Sequence, residues 1–412
     1  MEQIHFYGTT DKDALSYKSN ELITFTVYPA IGTEIYTCKD IAYYKWEIQY
    51  DGGKYESGYT LVNGEAFPLI LNARLEFPGF IRVIVEACDK FKVPLPNFVR
   101  FEGGAGVDVE KINLDTEPPD KFEEFWKKIK SNAENTDVTN AILTKTENND
   151  YPDFEIFKFK IDIPGETPAQ GILTYPKNGD LFDAEIRFMG YGVVATPINC
   201  IENKITMTVN AHGIEPLEEK EYYDNLYREP DGELFYYGFD NIENSNPETS
   251  YFNGMMLRNL IALKYLKNHP KYNKKSLTAH GGSQGALQAT TMAAHDEAIT
   301  LLDIQIPWFC NIGGYKNQWK SDKGRIRGWS PDYTYGITFY DTAIQAKYVK
   351  CPVKIEARLV DYVCPPSGIM TLYNNLNTEK EICFYQNGTH SYKSPIDIIS
   401  ELFRTGIINA KG

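Results

Sequence analysis

Apolar and polar residues alternate one by one along the early part of this chain. Leu22-Ile23-Thr24-Phe25-Thr26-Val27 repeats with a period of two, as do Tyr43 to Tyr50, Gly58 to Val62 and Phe80 to Ala87. A period of two puts one set of side chains on one face of a strand, which predicts half-buried strands. Asp51-Gly52-Gly53 and Asn63-Gly64 interrupt the runs with turn chemistry. Short strands at this spacing predict an all-β, immunoglobulin-like sandwich over residues 1–115. No helical period and no cluster of reactive side chains stands out there. This part reads as accessory: a binding module, or a structural or oligomer-forming unit.

The period changes at Asp115-Thr116-Glu117-Pro118-Pro119-Asp120. Two prolines cannot continue a strand ladder, and they suit a helix start. Phe122, Phe125, Trp126 and Ile129 then recur at helical spacing and predict a helix burying an aromatic stripe against the second domain. From residue 154 onward, strand-like and helix-like runs alternate. Phe154 to Ile163 and Gly171 to Tyr175 read as an antiparallel start. Ala184 to Met189, Ile205 to Asn210, Ser276 to Ala279, Leu301 to Ile306, Val353 to Leu359 and Glu381 to Tyr385 follow as strands. Tyr251 to Lys267 is the clearest helix between them, with Pro270 soon after its end. This alternation predicts an α/β domain over residues 116–412, a mostly parallel, doubly wound sheet. Ligands of such sheets sit beyond the carboxyl ends of the strands.

Ser276-Leu277-Thr278-Ala279-His280-Gly281-Gly282-Ser283-Gln284-Gly285 lies at one such end. A strand, a sharp turn with serine at its apex and a helix are what an α/β-hydrolase uses to expose a nucleophile. The five-residue glycine–serine pattern recurs by chance, so its weight depends on partners later in the chain. A serine nucleophile needs a base, and the base needs an orienting acid, in the order Ser, Asp or Glu, His. Two histidines follow Ser283. His295 lies in the helix that begins at the serine and cannot reach back. His390 sits in the loop Asn387-Gly388-Thr389-His390 after the strand Glu381 to Tyr385, where a base belongs. Asp361 follows the preceding strand, although an ordinary turn aspartate has the same look. Asp303, Asp341 and Asp397 compete by composition but not by placement. Oxyanion donors are expected from the backbone N–H of Gln284 and of Tyr191, in the loop Gly190-Tyr191-Gly192. His212, after Ile205 to Asn210, reads as support for that loop or pocket lining. No second ligand sits near it at metal spacing.

Charge and cysteine content narrow the field. The chain has 412 residues and a net charge of −14, which argues against nucleic acid and anionic membrane as partners. Seven cysteines show neither a paired framework nor a metal-binding spacing, so free thiols are expected. No window has the length and apolarity of a membrane span. Met1 to Phe6 lacks a charged leader followed by an apolar core, which points to the cytoplasm or to export with a signal already removed.

Four stretches resemble the acetyl xylan esterase and cephalosporin C deacetylase family, carbohydrate esterase family seven. They are Pro119 to Trp126, Gly282-Ser283-Gln284-Gly285, Ile306-Pro307-Trp308-Phe309-Cys310, and a C-terminal set. That set comprises Tyr340-Asp341-Thr342, Lys350-Cys351-Pro352, Asp361-Tyr362-Val363-Cys364-Pro365-Pro366 and Tyr373-Asn374. The resemblance spans roughly residues 117 to 405. It implies a triad of Ser283, Asp361 and His390, with Tyr191 and Gln284 as oxyanion donors. It also implies a serine esterase that removes acetyl groups from xylo-oligosaccharide-type sugars, or from small acetyl esters, without metal or organic cofactor. Trp308 would line the pocket, either packed in the core or offered to a sugar face. The chain departs from the family pattern at His212-Gly213-Ile214, where Arg-Gly-Gln is usual. It departs also at His390-Ser391, where His-Glu is usual, and at Ala286. These departures bear on substrate choice and on the family's ring-shaped hexamer, so a homo-oligomer stays an open expectation. Two other readings stand beside this one: a peptidase or hydrolase of other small acyl esters on the same fold, and a carbohydrate-binding scaffold without activity.

Overall fold

Among the described residues, the early alternation becomes nine short strands. They are β1 (Ile4–Thr10), β2 (Ile23–Ile31), β3 (Glu34–Ile35), β4 (Tyr43–Tyr50), β5 (Tyr55–Leu61), β6 (Leu69–Ala73), β7 (Gly79–Cys88), β8 (Phe98–Val99) and β9 (Phe101–Val107). The computed structural model describes residues 4–32, 34–62, 67–315 and 328–391. Asn63-Gly64 and Asp397 lie outside the described residues. One sheet runs β3-β2-β1-β8 with β6 on β2, and the other runs β5-β4-β7-β9. In β2 the apolar positions Ile23, Phe25 and Val27 are fully buried, while Thr24 and Thr26 are not. They meet Tyr44, Ile48, Val83 and Val85 of the other sheet in one shared apolar core.

The later alternation becomes a larger sheet with helices. Its elements are α1 (Phe122–Asn135), β10 (Ile142–Thr146), β11 (Phe154–Ile163), β12 (Glu166–Pro176), β13 (Phe182–Phe188), β14 (Lys204–Val209), α2 (Lys220–Tyr227) and α3 (Tyr251–Asn268). β15 (Tyr272–Gly282), α4 (Gln284–His295), β16 (Leu301–Gln305), α5 (Thr342–Gln345), β17 (Val353–Arg358), α6 (Pro366–Asn375) and β18 (Lys380–Tyr385) complete it. The strand order is β10-β11-β12-β14-β13-β15-β16-β17-β18. β10 to β12 form an antiparallel entry that joins β14, and all pairs from β14 onward are parallel. The carboxyl ends of β13, β15, β17 and β18 therefore share one edge. That edge carries Gly190, Ser283, Asp361 and His390.

Helix α1 begins at Phe122, later than the prolines suggest, after Lys121 in a left-handed conformation with φ 65°. Phe122, Phe125, Trp126, Ile129 and Ala133 form its buried stripe. Trp126 donates its ring N–H to the Phe339 carbonyl at 3.2 Å and stacks on His295 with centroids 4.3 Å apart. His295 in turn is bound to Gln345 Oε1 at 2.8 Å. Asp341, one of the competing aspartates, is fully buried and holds the backbone N–H groups of Asn311, Ile312 and Ala343 at 2.7 to 2.9 Å. It is a local organiser that caps α5. Asp303 pairs with His280 at 3.4 Å. All seven cysteines are free thiols. Among the described residues no helix is long and apolar enough to cross a membrane.

Burial disfavours the charged form of three histidines. His212, His269 and His295 are each lowered from 6.5 to about 4. A depressed folded value stabilises the fold fully above the unfolded value of 6.5, and that stability is lost as pH falls toward 4. The expected loss between pH 7 and pH 5 is about 1 to 2 kcal/mol per histidine. Urea unfolding at the two pH values measures it. A midpoint that stays level would show that these rings are not held neutral.

Candidate active site

The turn between β15 and α4 places Ser283 at φ 54°, ψ −119°, a backbone conformation that L-residues seldom adopt and that surrounding structure must impose. The imposition is visible. A Cβ on Gly281 would stand 2.3 Å from the Gly285 carbonyl carbon and oxygen, and one on Gly285 would stand 2.3 Å from the Phe188 carbonyl oxygen. Both glycines of the motif are thus required by close backbone approach. Ser283 N–H donates to the Gln305 carbonyl at 2.9 Å, and its carbonyl accepts from Trp308 N–H at 3.2 Å. The elbow is pinned to β16 and to the segment after it.

Asp361 and His390 meet at the ends of β17 and β18. His390 Nδ1 lies 2.8 Å from Asp361 Oδ2. Oδ1 of the same carboxylate accepts from Val363 N–H at 2.8 Å and Cys364 N–H at 2.7 Å. One oxygen is thereby saturated by backbone and the other is turned to the imidazole. A carboxylate on Nδ1 holds the proton there and leaves Nε2 as an acceptor. Cys364 sits among these groups. Its Sγ is 4.0 Å from Ser283 Oγ, and it lies within 4.8 Å of the facing atoms of Asp361 and His390. Burial, then the Asp361 charge, raises the Cys364 thiol well above its usual range. Among the described residues, Asp361, Cys364 and His390 are close enough to share a metal ion. They suit hydrogen bonding better: a metal would have to break the His390–Asp361 contact and ionise a thiol that burial keeps protonated.

The loop after β13 carries Gly190-Tyr191-Gly192. A hydrogen-bonded frame ties it to α4. Tyr237 OH accepts from Gly192 N–H at 3.0 Å and donates to Gln284 Oε1 at 2.9 Å. Gln288 Nε2 donates to the Met189 carbonyl at 2.9 Å. The Tyr191 ring lies flat on Tyr237, centroids 4.2 Å apart at 9°. His212 closes the frame, with Nε2 2.9 Å from the Gly192 carbonyl and Nδ1 2.6 Å from Tyr251 OH. These partners assign the proton to Nε2. Gln284 is the first residue of α4, and first-turn N–H groups lack intrahelical partners. Trp308 is 1% exposed and donates its ring N–H to the Trp329 carbonyl at 2.6 Å. A tryptophan buried this way cannot offer its face to a sugar, so the sugar-facing expectation for it is corrected. With Phe309, Trp329 and Cys364 it walls a cavity of about 10 Å³.

Residues ahead of position 115 support the acid and histidine loops. Gly104 N–H donates to the Gln386 carbonyl at 3.2 Å, Gln386 Nε2 to Thr10 Oγ1 at 3.0 Å, and Asn387 Nδ2 to the Gly8 carbonyl at 3.2 Å. A Cβ on Gly104 would meet Leu359 Cβ at 2.6 Å and its carbonyl oxygen at 2.8 Å. Arg358 adds a clamp, donating from NH1 to the Thr389 and His390 carbonyls at 3.2 and 2.8 Å. Sequence reasoning missed Tyr237, Arg358, Gly104 and Gln386 as parts of this site. Cys364 was visible only inside a family-like segment.

A family model described as Acetyl xylan esterase (AXE1) matches residues 108–325 and 332–400. The chain belongs to the acetyl xylan esterase family. The esterase from Xylanibacter ruminicola named acetyl esterase Axe7A is 24% identical over 334 residues, covering 78% of this chain and 72% of that protein. Among solved structures, an acetyl xylan esterase from Paenibacillus sp. R4 superposes with a TM-score of 0.56 at 18% identity, covering 69% of this chain and 94% of that one. Acetyl xylan esterase 1 from Thermoanaerobacterium sp. JW/SL YS485 gives 0.52 at 18% identity, covering 70% and 93%. Nearly the whole of those acetyl xylan esterases is matched while about three tenths of this chain is left over, and the fold of the matched part is of the α/β-hydrolase type.

Two substitutions test the supports of this esterase. Tyr237→Phe removes the hydroxyl joining Gly192 to Gln284 and is expected to lower kcat on 4-nitrophenyl acetate by about 10- to 100-fold. Gly104→Ala forces a methyl against the Leu359 backbone and should lower kcat about tenfold through displacement of Asp361. Thermal midpoints recorded in parallel separate these effects from unfolding. Unchanged kcat in both variants would remove the positioning roles.

Proposed function

We propose that this chain is a serine carboxylester hydrolase that removes acetyl groups from acetylated carbohydrates through an acyl-enzyme. Ser283 Oγ attacks the ester carbonyl. His390 Nε2 takes the hydroxyl proton and returns it to the leaving sugar oxygen. Asp361 keeps the imidazole in the required tautomer and balances its transient charge. The N–H groups of Tyr191 and Gln284 stabilise the oxyanion. Water, activated by His390 in turn, releases acetate. The reading is carried by the 2.8 Å His390–Asp361 contact converging with strained Ser283 around Cys364.

The acetyl preference rests on size. The cavity walled by Trp308, Phe309, Trp329 and Cys364 is about 10 Å³, on the scale of a single water-sized probe. A methyl group suits it, and each added methylene would have to displace packed atoms at roughly 1 to 3 kcal/mol. The carbohydrate side rests on the relatives, named for acetyl esters and acetyl xylan. We further propose that the chain divides near residue 115 into an immunoglobulin-like accessory domain and the esterase domain. An apolar cluster drawn only from residues 6–107 and the lack of an α-helix before α1 among the described residues support that division, while Ala14, Leu15 and Phe80 pack into the later core.

Ser283→Ala is expected to lower kcat by about 10⁴ to 10⁶ while the fold survives, and Asp361→Asn by about 10⁴. Ser283→Ala activity within tenfold of wild type would sink the assignment. Along acetyl, propionyl and butyryl esters of one alcohol, kcat/KM should fall by about 5- to 100-fold per methylene. A preference for butyryl would refute the small acyl pocket.

A further inference from the structure

A cleft of about 240 Å³ opens between the N-terminal strands and the two loops that present Asp361 and His390. Arg100 and Glu102 line it from one side, and Tyr362, Asn387, Thr389 and Ser391 from the other. We infer that this cleft is the subsite for the saccharide portion of the ester, so that residues ahead of position 115 are part of the substrate site. The inference rests on the esterase reading above and deepens it.

Position is the first argument. Tyr362 directly follows the acid, and Thr389 and Ser391 flank the histidine. The base of a serine esterase delivers its proton to the departing alcohol, so the alcohol lies on the histidine's side of the serine. The small cavity walled by Trp308, Phe309 and Cys364, assigned above to the acyl group, shares no lining residue with the cleft. Thr389 and Ser391, on either side of His390, line this cleft and place it on the histidine's side.

Chemistry is the second argument. The wall is mixed: Phe6, Val99 and Phe101 are apolar, and its charged pair is balanced. Arg100 is neutralised by Glu102, whose Oε1 takes its Nε at 2.7 Å and its second guanidinium nitrogen at 2.5 Å. Among the described residues, Glu102 Oε2 and Asn387 Oδ1 are buried acceptors that no protein donor reaches. The Asn387 amide is oriented by its own Nδ2 contact to the Gly8 carbonyl, so Oδ1 is the atom left over. The exposed Ser391 hydroxyl and the balanced Arg100–Glu102 pair give the wall donors and acceptors that suit a neutral, hydroxyl-rich occupant. Tyr362 is 46% exposed, and the Arg82 guanidinium lies 5.6 Å from its ring centroid. That contact, made from β7, steadies an aromatic face of the kind that packs against a pyranose ring. A chain with a net charge of −14 also disfavours an anionic occupant.

The test uses xylotriose as a product-like inhibitor of 4-nitrophenyl acetate hydrolysis, and acetylated xylo-oligosaccharides as substrates. Xylotriose is expected to inhibit the wild-type enzyme competitively. Tyr362→Leu and Glu102→Gln should each raise its inhibition constant at least tenfold. Both should raise KM for the acetylated oligosaccharides by a similar factor, with the larger share of the loss in KM rather than kcat. Unchanged inhibition constants in both variants, with acetylated oligosaccharides still turned over, would overturn the subsite and leave the esterase reading intact. Hydrolysis of simple acetyl esters with no turnover of any acetylated saccharide would overturn the carbohydrate reading and this inference together.

Discussion

The site depends on one steric constraint: three backbone segments approach more closely at the elbow than any side chain permits. Gly281 rests on Gly285, and Gly285 rests on the Phe188 carbonyl at the end of β13. The approach holds Ser283 at positive φ, where it would not stay alone. It also brings the loop after β13 against the first turn of α4. The two segments that carry the Tyr191 and Gln284 N–H groups are neighbours because nothing larger than hydrogen stands between them. Tyr237 then joins them by one hydroxyl, and His212 fixes the far end of the loop. Local strain at one residue and the placement of two backbone donors have a common cause.

The other half of the site has a different dependence. Asp361 and His390 lie in loops that follow adjacent parallel strands, and register between β17 and β18 brings the loops together. Register alone leaves the loops free to shift, since each has left the sheet. Arg358 clamps one to the other, and β1 and β9 hold both from outside. The N-terminal sheets are therefore coupled to the loops of Asp361 and His390, not merely tethered ahead of them. Gly104 marks the contact, because its missing Cβ is the space that Leu359 occupies.

What could be read from the sequence follows from these causes. Period-two runs that face a core, as in β2 and β4, were legible because burial on one face dictates the pattern. β10 was not: four of its five residues are exposed, and no face imposes a pattern. β9, Phe-Glu-Gly-Gly-Ala-Gly-Val, also escaped, because its glycines answer to Asn387, Leu359 and Phe80 pressing from other parts of the chain. β15 runs to Gly282, beyond the apolar run, since Gly281 and Gly282 stay in register with β13 and β16. Ser283, Asp361 and His390 could be proposed because strand ends and chain order limit the choices. Tyr237 could not. It stands outside any helix or strand, and its contribution is one hydroxyl bridging residues 45 and 47 positions away.

The side chains bonded directly to the Gly190-Tyr191-Gly192 loop and to Gln284 are neutral around pH 7. Burial lowers His212 to about 4 and raises Tyr251 to about 12. It raises Tyr191 and Tyr237 further still. Gln284 and Gln288 have no proton to lose. A charged group here would attract or repel the negative charge that develops on the substrate oxygen, and its titration would move the loop. Neutral partners hold the N–H groups in place by geometry alone, leaving the backbone dipoles and the start of α4 to meet the charge. The His390–Asp361 pair belongs to other loops, next to Cys364, whose Sγ is 4.0 Å from Ser283 Oγ. Under the proposed mechanism, proton transfer and oxyanion stabilisation fall to different loops, and the strained Ser283 joins them.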